Sequence, residues 1–305
     1  MTPLQGDGRS LRLAVDRMCD LAGVSRASYY RQWAMRAPAE EESELRDLVQ
    51  RLALAQRFYG YRRITELIRR EGWPANRKRI ARLMREDNLL ALRKPAFKPA
   101  TTDSRHTWRI WPNLARQLRP TAVDQLWVAD ITYVRLAEAF VFLAVILDAF
   151  SRKAVGWAMA DHLRAELAIE ALERALSGRQ VIAGALVHHS DRGIQYACDD
   201  YIARLEAAGI LPSMSRIACP YDNAQAESFM KTLKAEEVNG RSYRDLAHAK
   251  AEIGRFIEQV YNRQRLHSAL GYLSPEEFEQ SHKKLIHSPV DRVPAAHSTT
   301  TAVSN

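Results

Sequence analysis

Two neighbouring stretches, "QLWVADITYVRL" (125–136) and "AFVFLAVILDAF" (139–150), constrain this chain more than any other part of it. Both are short, apolar and rich in β-branched and aromatic residues, and only a tight connection at 137–139 separates them. With "KAVGWAMAD" directly after, they predict a three-strand antiparallel meander. The texture then alternates: a helix "AELAIEALERALSG", a strand "ALVHHSD", a helix "DDYIARLEAAG", a short strand "LPSMS", and a last helix over 219–237. A meander followed by alternating helices and strands predicts an α/β fold, a mixed five-stranded sheet with flanking helices.

Three acids stand where such a sheet gathers chemistry. Asp130 lies inside an apolar, central strand, where an ionised carboxylate is costly unless something pairs with it. Asp191 closes the strand "ALVHHSD", before a turn at Gly193, and strand ends are where sites collect in sheets of this kind. Glu227 sits on the helix after the fifth strand. Each has a plain structural reading: a satisfied core acid, a turn former, a surface acid. Their coincidence in this order favours a cluster, and clustered carboxylates need a cation. All-oxygen ligands select Mg²⁺ or Mn²⁺ over Zn²⁺. Two such ions, about 3.5–4 Å apart, clamp an in-line phosphoryl displacement.

The helix carrying Glu227, "CPYDNAQAESFMKTLKAEE", has Asp222 as a candidate N-cap. Ala226, Phe229, Met230 and Leu233 form its core stripe, and Asn223, Glu227, Lys231 and Lys234 share another face. Lys231 is placed for an i,i+4 pair with Glu227. Lys234 lies two turns along the same face. Asp148 reads as structural, paired with Arg152. His188 and His189 do not form a zinc site, and His189 is a candidate for substrate contact.

The first 120 residues hold 25 basic against 13 acidic residues, and the remainder 20 against 23. A compact basic region is the footprint of a polyanion binder. "LRLAVDRMCDLAGVSRASYYRQW" (11–33) reads as helix, turn at Gly23, helix, with Ala14, Met18, Leu21 and Ala22 as the first apolar face and Arg26, Tyr29, Tyr30 and Arg31 on the second helix. Residues 40–91 predict three more helices, broken at Tyr59-Gly60 and at Gly72-Trp73-Pro74. Asn76 caps the third, Ile80, Leu83 and Met84 turn inward, and Arg77, Lys78, Arg79, Arg82 and Arg85 line it. With Arg62 and Arg63 these are the candidate DNA contacts. The organisation expected is therefore a helical helix-turn-helix region (1–93), a proline-bearing linker (94–123), an α/β catalytic core with C-terminal helices (124–282) and a disordered tail (283–305). Three isolated cysteines fit a reducing cytosol rather than a disulfide framework. No apolar run is long enough for a membrane span.

Five ordered motifs resemble one family. "WVADITYV" with Asp130, "LDAFSRKAVGW" with Asp148, Ser151 and Arg152, "HSDRGIQY" with Asp191, Gly193 and Gln195, "DNAQAESFMKTLKAE" with Glu227 and Lys234, and "YNRQRLHSALGYLSPEEF" are similar to the second-reading-frame transposases of the third insertion-sequence family, within the retroviral-integrase superfamily of acid-triad recombinases. "YGYRRITELIRREGWPANRKRIARLM" resembles the helix-turn-helix segment that precedes their core. The resemblance spans about residues 44–280, including 35 residues between Asp191 and Glu227. It implies an RNase H-like core, divalent metal held by Asp130, Asp191 and Glu227, and cutting and joining of DNA at element ends. It implies that Lys234 meets DNA phosphate, with Lys231 the competing candidate. It implies as partners the terminal inverted repeats and target DNA, further copies of the chain on that DNA, and the upstream-frame protein; the setting expected is the cytoplasm, at the nucleoid. A non-catalytic helix-turn-helix regulator and an RNase H-like nuclease that cuts without joining are the rival readings.

Overall fold

The computed structural model describes residues 15–27, 40–89, 91–92, 109–216 and 223–287. The meander forms as its residues predict: β1 (Leu126–Arg135), β2 (Phe140–Asp148) and β3 (Ala154–Ala160) pair antiparallel in sequence. The hairpin between the first two closes through Leu136 N–H donating to Ala139 O at 2.8 Å. β4 (Val187–Ser190) and β5 (Leu211–Met214) add parallel on the other side of β1, giving the order β3-β2-β1-β4-β5. β1 is thus the centre of a mixed five-stranded sheet.

The unbroken apolar run in β2 has a physical reason: the strand is covered on both faces. Leu143, Val145 and Leu147 join one core cluster with Phe229, Met230 and Leu233 of α8 (Ala224–Leu233). Ala144 and Ile146 join a second with Leu167, Ala171 and Leu172 of α5 (Ala165–Ser177) and Tyr201 and Leu205 of α7 (Asp199–Ala207). The short α6 (Ile194–Ala197) connects β4 to α7.

The basic N-terminal region folds as α1 (Val15–Ala22), α2 (Glu40–Ala55), α3 (Tyr61–Arg70) and α4 (Arg77–Glu86). Asn76 caps α4, its side chain accepting from Lys78 N–H at 2.8 Å, and Ile80, Leu83 and Met84 are buried. The apolar face expected on α1 is corrected. Leu21 is 76% exposed and Ala22 is exposed, while Cys19 is the buried residue; Ala14, Tyr29, Tyr30 and Arg31 lie outside the described residues.

Four further expectations change. Residues 109–123 are not a free linker: Ala115 and Leu118 pack on the first core cluster, and Leu114 N–H donates to Ser213 Oγ at 2.9 Å. The N-cap of α8 is Asn223, and Asp222 lies outside the described residues. The helix does not run on to 237 as α-helix. It widens into a π-helical turn over Lys234–Val238, closed by Asn239 N–H to Lys234 O at 2.7 Å. A second such segment, Phe256–Gln264, continues α9 (Leu246–Arg255). The last helix, α10 (Pro275–His287), takes up the first residues of the expected tail, and 288–305 lie outside the described residues.

Candidate active site

β1 and β4 run parallel with Val128 opposite His189. Carried two residues further, that register sets Asp191, just past the end of β4, level with Asp130. Both share the face of Leu126, Val128 and Val187, the face on which α8 packs. The start of α8 is held there by Asn223, whose Nδ2 donates to Ala129 O at 3.0 Å, one residue from Asp130. The first turn of α8 then carries Glu227.

The electrostatics tie the three acids together. Burial pushes the Asp130 carboxyl up to about 7, the charge of Asp191 adds to that rise, and Glu227 adds further; the Ile131 N–H and Lys234 oppose it. Each acid has its own local partner. Asp130 Oδ1 accepts from Ile131 N–H at 3.0 Å, Asp191 Oδ1 accepts from Gly193 N–H at 3.0 Å, and Glu227 Oε2 lies 3.7 Å from Lys231 Nζ. So turned, no three His, Cys, Asp or Glu side chains among the described residues stand in metal-holding geometry. The donor set still fits a hard divalent cation. Its members are all carboxylates, and burial, with the charges of Asp191 and Glu227 adding to it, lifts the Asp130 carboxyl, a cost that a cation relieves.

The two lysines separate clearly. Lys231 is exposed and pairs with Glu227. Lys234 is half-buried, its Nζ 4.6 Å from the centre of the Tyr133 ring, a cation–π distance. Burial lowers its pKa, and the nearby Asp130 opposes that.

Asp148 is structural, by different contacts from those expected. It is fully buried; its Oδ2 accepts from Asp124 N–H at 2.7 Å and its Oδ1 from Ser151 N–H at 2.7 Å and Phe150 N–H at 3.0 Å. The Arg152 side chain does not pair with it; the link is backbone, Arg152 N–H to Asp148 O at 2.8 Å. His188 and His189 are both buried, and His189 Nδ1 lies 2.9 Å from Ser213 Oγ. His188 Nε2 shares a 2.9 Å hydrogen bond with Tyr201 OH, and burial, then His189, pushes its pKa down to about 3.

The α4 cations do not all face outward unpaired. Arg77 bonds Glu66 at 2.9 Å, and Arg82 bonds Glu42 at 3.0 Å. Lys78 and Arg85 are exposed, and Arg79 is half-buried. Arg62 is exposed over the Tyr61 ring, whereas Arg63 turns inward onto Tyr59, 5.1 Å from its ring centre. The site holds two residues that the sequence reading passed over. Tyr133 seats Lys234, and Tyr196, buried with its hydroxyl unpartnered, has its pKa pushed well above the usual value by burial and then by Tyr201, Asp191 and Asp130. Tyr196 closes the quoted motif "HSDRGIQY", and that position was its only signal.

Comparison with known proteins bears on this arrangement. Two family models described as "Integrase core domain" match residues 120–220 and 208–275, and one described as "HTH-like domain" matches 40–97. The "Insertion element IS600 uncharacterized 31 kDa protein" of Shigella sonnei is 39% identical over 273 residues, 88% of this chain and 99% of that protein. The "Transposase InsF for insertion sequence IS3A" of Escherichia coli (strain K12) is 35% identical over 272 residues, 87% of this chain and 94% of that protein. Among solved structures, a simian T-cell lymphotropic virus intasome chain gives a TM-score of 0.44 at 13% identity over 84% of this chain and 80% of that one. The catalytic core domain of HTLV-2 integrase in complex with magnesium gives 0.40 at 14% identity, over 53% of this chain and 99% of that one.

Proposed function

The chain belongs to the IS3-type insertion-sequence transposases with an integrase core, and from that premise we propose that Asp130, Asp191 and Glu227 are the acids with which it cuts and joins DNA. The observation that supports this most is geometric: the β1–β4 register sets Asp191 level with Asp130, and Asn223 anchors the helix of Glu227 one residue away, where burial and the neighbouring charges raise the Asp130 carboxyl. The bound cation, Mg²⁺ or Mn²⁺ and in our reading a pair, supplies charge neutralisation of a phosphodiester under attack.

The chain's own residues supply position. β1 and the end of β4 hold two carboxylates at one level, and Asn223 anchors the helix that brings the third. Asp191 and Glu227 are held by local partners, Gly193 N–H and Lys231, which a bound cation would compete with. Lys234, seated on Tyr133, offers a cation to phosphate beside the scissile bond. The chemistry is hydrolysis at the element end, in which water adds to phosphorus and the 3′ oxygen leaves as a hydroxyl. That 3′ hydroxyl then attacks a target phosphodiester and displaces its 3′ oxygen. The substrates in this reading are the element's terminal inverted repeats and target DNA, engaged by more than one copy of the chain and with the upstream-frame protein as a further partner.

Strand transfer with the element's own end DNA in Mg²⁺ tests the assignment. Asp130→Asn, Asp191→Asn and Glu227→Gln each remove one ligand charge while keeping shape. Each is expected to abolish cutting and joining with end-DNA affinity retained. Near-normal joining by any one of them removes that residue from the site.

A further inference from the structure

On the side of α8 away from Glu227 lies a cavity of about 140 Å³. Gln225, Ser228 and Thr232 of α8 line it, and across it stand Arg63, Arg152, Arg265 and His267. These come from three parts of the chain: α3, the β2–β3 turn and the segment after the second π-helical stretch. Arg265 is satisfied by a fork onto Glu236 at 2.7 and 3.0 Å. Arg63 and Arg152 have no carboxylate partner among the described residues. Three guanidiniums therefore share one acid.

Two buried polar atoms on the wall are also unpartnered, His267 Nε2 and Gln225 Oε1. His267 is 7% exposed. Burial, then Arg265, Arg152 and Arg63, push its pKa down to about 3, so it stands as a neutral imidazole among cations. A neutral imidazole can donate its Nε2 proton, and a side-chain amide can present its NH₂ end. Arg63 is itself lowered, by burial and then by the charge of Arg265. Like charges held this close, with a neutral imidazole N–H left over, are what an absent anion would satisfy.

We propose that this cavity binds a backbone phosphate of the DNA on which the chain acts, at a second site on α8 opposite the acids. The proposal rests on the transposase reading for its ligand class, since guanidinium forks and neutral N–H donors match a phosphodiester. Because Arg63 belongs to the helix-turn-helix region and Arg152 to the catalytic core, one phosphate here would tie both to the same DNA. The site also explains why Arg63 turns away from the exposed cations of its own region.

The test uses the full chain and a duplex carrying the element end, with affinity measured across salt in EDTA and strand transfer measured in Mg²⁺. The double variant Arg63→Gln/Arg152→Gln removes both uncompensated cations. Ser228→Glu, at an exposed position on the rim, supplies a competing carboxylate and leaves the arginines in place. Both are expected to weaken binding and make the slope of log K against log salt less negative by about 1, the value for one phosphate contact. Wild-type affinity and slope in the two variants would overturn the proposal, as would loss of affinity with the slope unchanged. Glu227→Gln in the same assays separates the two readings. If it binds normally but cannot join, the acids stand whatever the cavity variants do; if it joins, the acid site falls while a slope change in the cavity variants still upholds the phosphate site.

Discussion

Asp130 carries a cost in the metal-free chain that has a definite sign. Its carboxyl is held near 7 against an ordinary value of 3.8, chiefly by burial and then by Asp191. Between those values the folded state keeps a proton that the unfolded state has released, so stability falls as pH rises through that window and levels off above it. Asp130→Asn lacks this penalty. In EDTA it is expected to match the wild type near pH 3.5 and to exceed it at pH 8 by up to about 4 kcal/mol. Thermal melts at the two pH values check this, and an equal difference at both would refute it. Added Mg²⁺ should raise the melting temperature of the wild type and leave that of the variant nearly unchanged. At the same scale the two lysines separate. Lys234→Ala removes a half-buried cation facing Asp130 and is expected to weaken end-DNA engagement and joining without raising the Mg²⁺ requirement. Lys231→Ala removes only an exposed partner of Glu227 and should cost less. A larger defect in Lys231→Ala, or rescue of Lys234→Ala by more Mg²⁺, would reverse these roles.

Among the elements, β3 and α5 approach too closely for a side chain between them. A Cβ built on Gly156 would stand 2.2 Å from Ala171 O and 2.8 Å from Ala175 Cβ. The nearer of these is backbone and cannot step aside. Gly156→Ala is therefore expected to destabilise by about 1–3 kcal/mol, the range for overpacking, through displacement of α5 from the sheet. Denaturant melts measure it, and a neutral result would mean that α5 shifts freely. The acid site lies on the other face of the sheet, so metal-dependent chemistry should survive in whatever fraction stays folded. α8 is the element with the most roles: its core stripe packs on β1 and β2, one flank bears Glu227, and the other lines the cationic cavity. Its π-helical continuation at Lys234 interrupts the regular 100° phase just where the lysine reaches Tyr133.

The whole molecule is interlocked rather than strung as beads. Leu266, far along the chain, belongs to the core of the helix-turn-helix region, where its N–H donates to Tyr59 OH at 3.0 Å. Arg70 of α3 pairs with Glu277 of α10 at 2.9 Å. Glu279, on the same helix and buried, bonds Arg179 at 2.6 Å and receives Ser151 Oγ at 2.7 Å, with Lys153 Nζ 3.6 Å away. This network clamps α10 over the turn that holds Asp148. Glu279→Ala leaves a buried guanidinium without its main partner and is expected to cost about 3–5 kcal/mol. Urea unfolding of the full chain checks it, and a loss under 1 kcal/mol would mean that Arg179 is held by Asp124 alone.

The sequence by itself determined the sheet and singled out the acids proposed for the site. An unbroken apolar β2 has no stable place except between two helical layers, and an acid inside β1 has no cheap explanation except company. Local chemistry also settled the α4 cap at Asn76 and the inward turn of Ile80, Leu83 and Met84. Tertiary structure decided what depends on contacts between distant residues. Burial of His189, the packing of 109–123 on the core and the capture of Glu279 by Arg179 and Ser151 come from partners far along the chain. Side-chain periodicity reports which face a residue shares with its neighbours in one element, and nothing about which other element covers that face. For that reason Glu227 could be named from its helix, while the cavity behind it, walled by Arg63, Arg152 and His267, became visible only when three separate segments met.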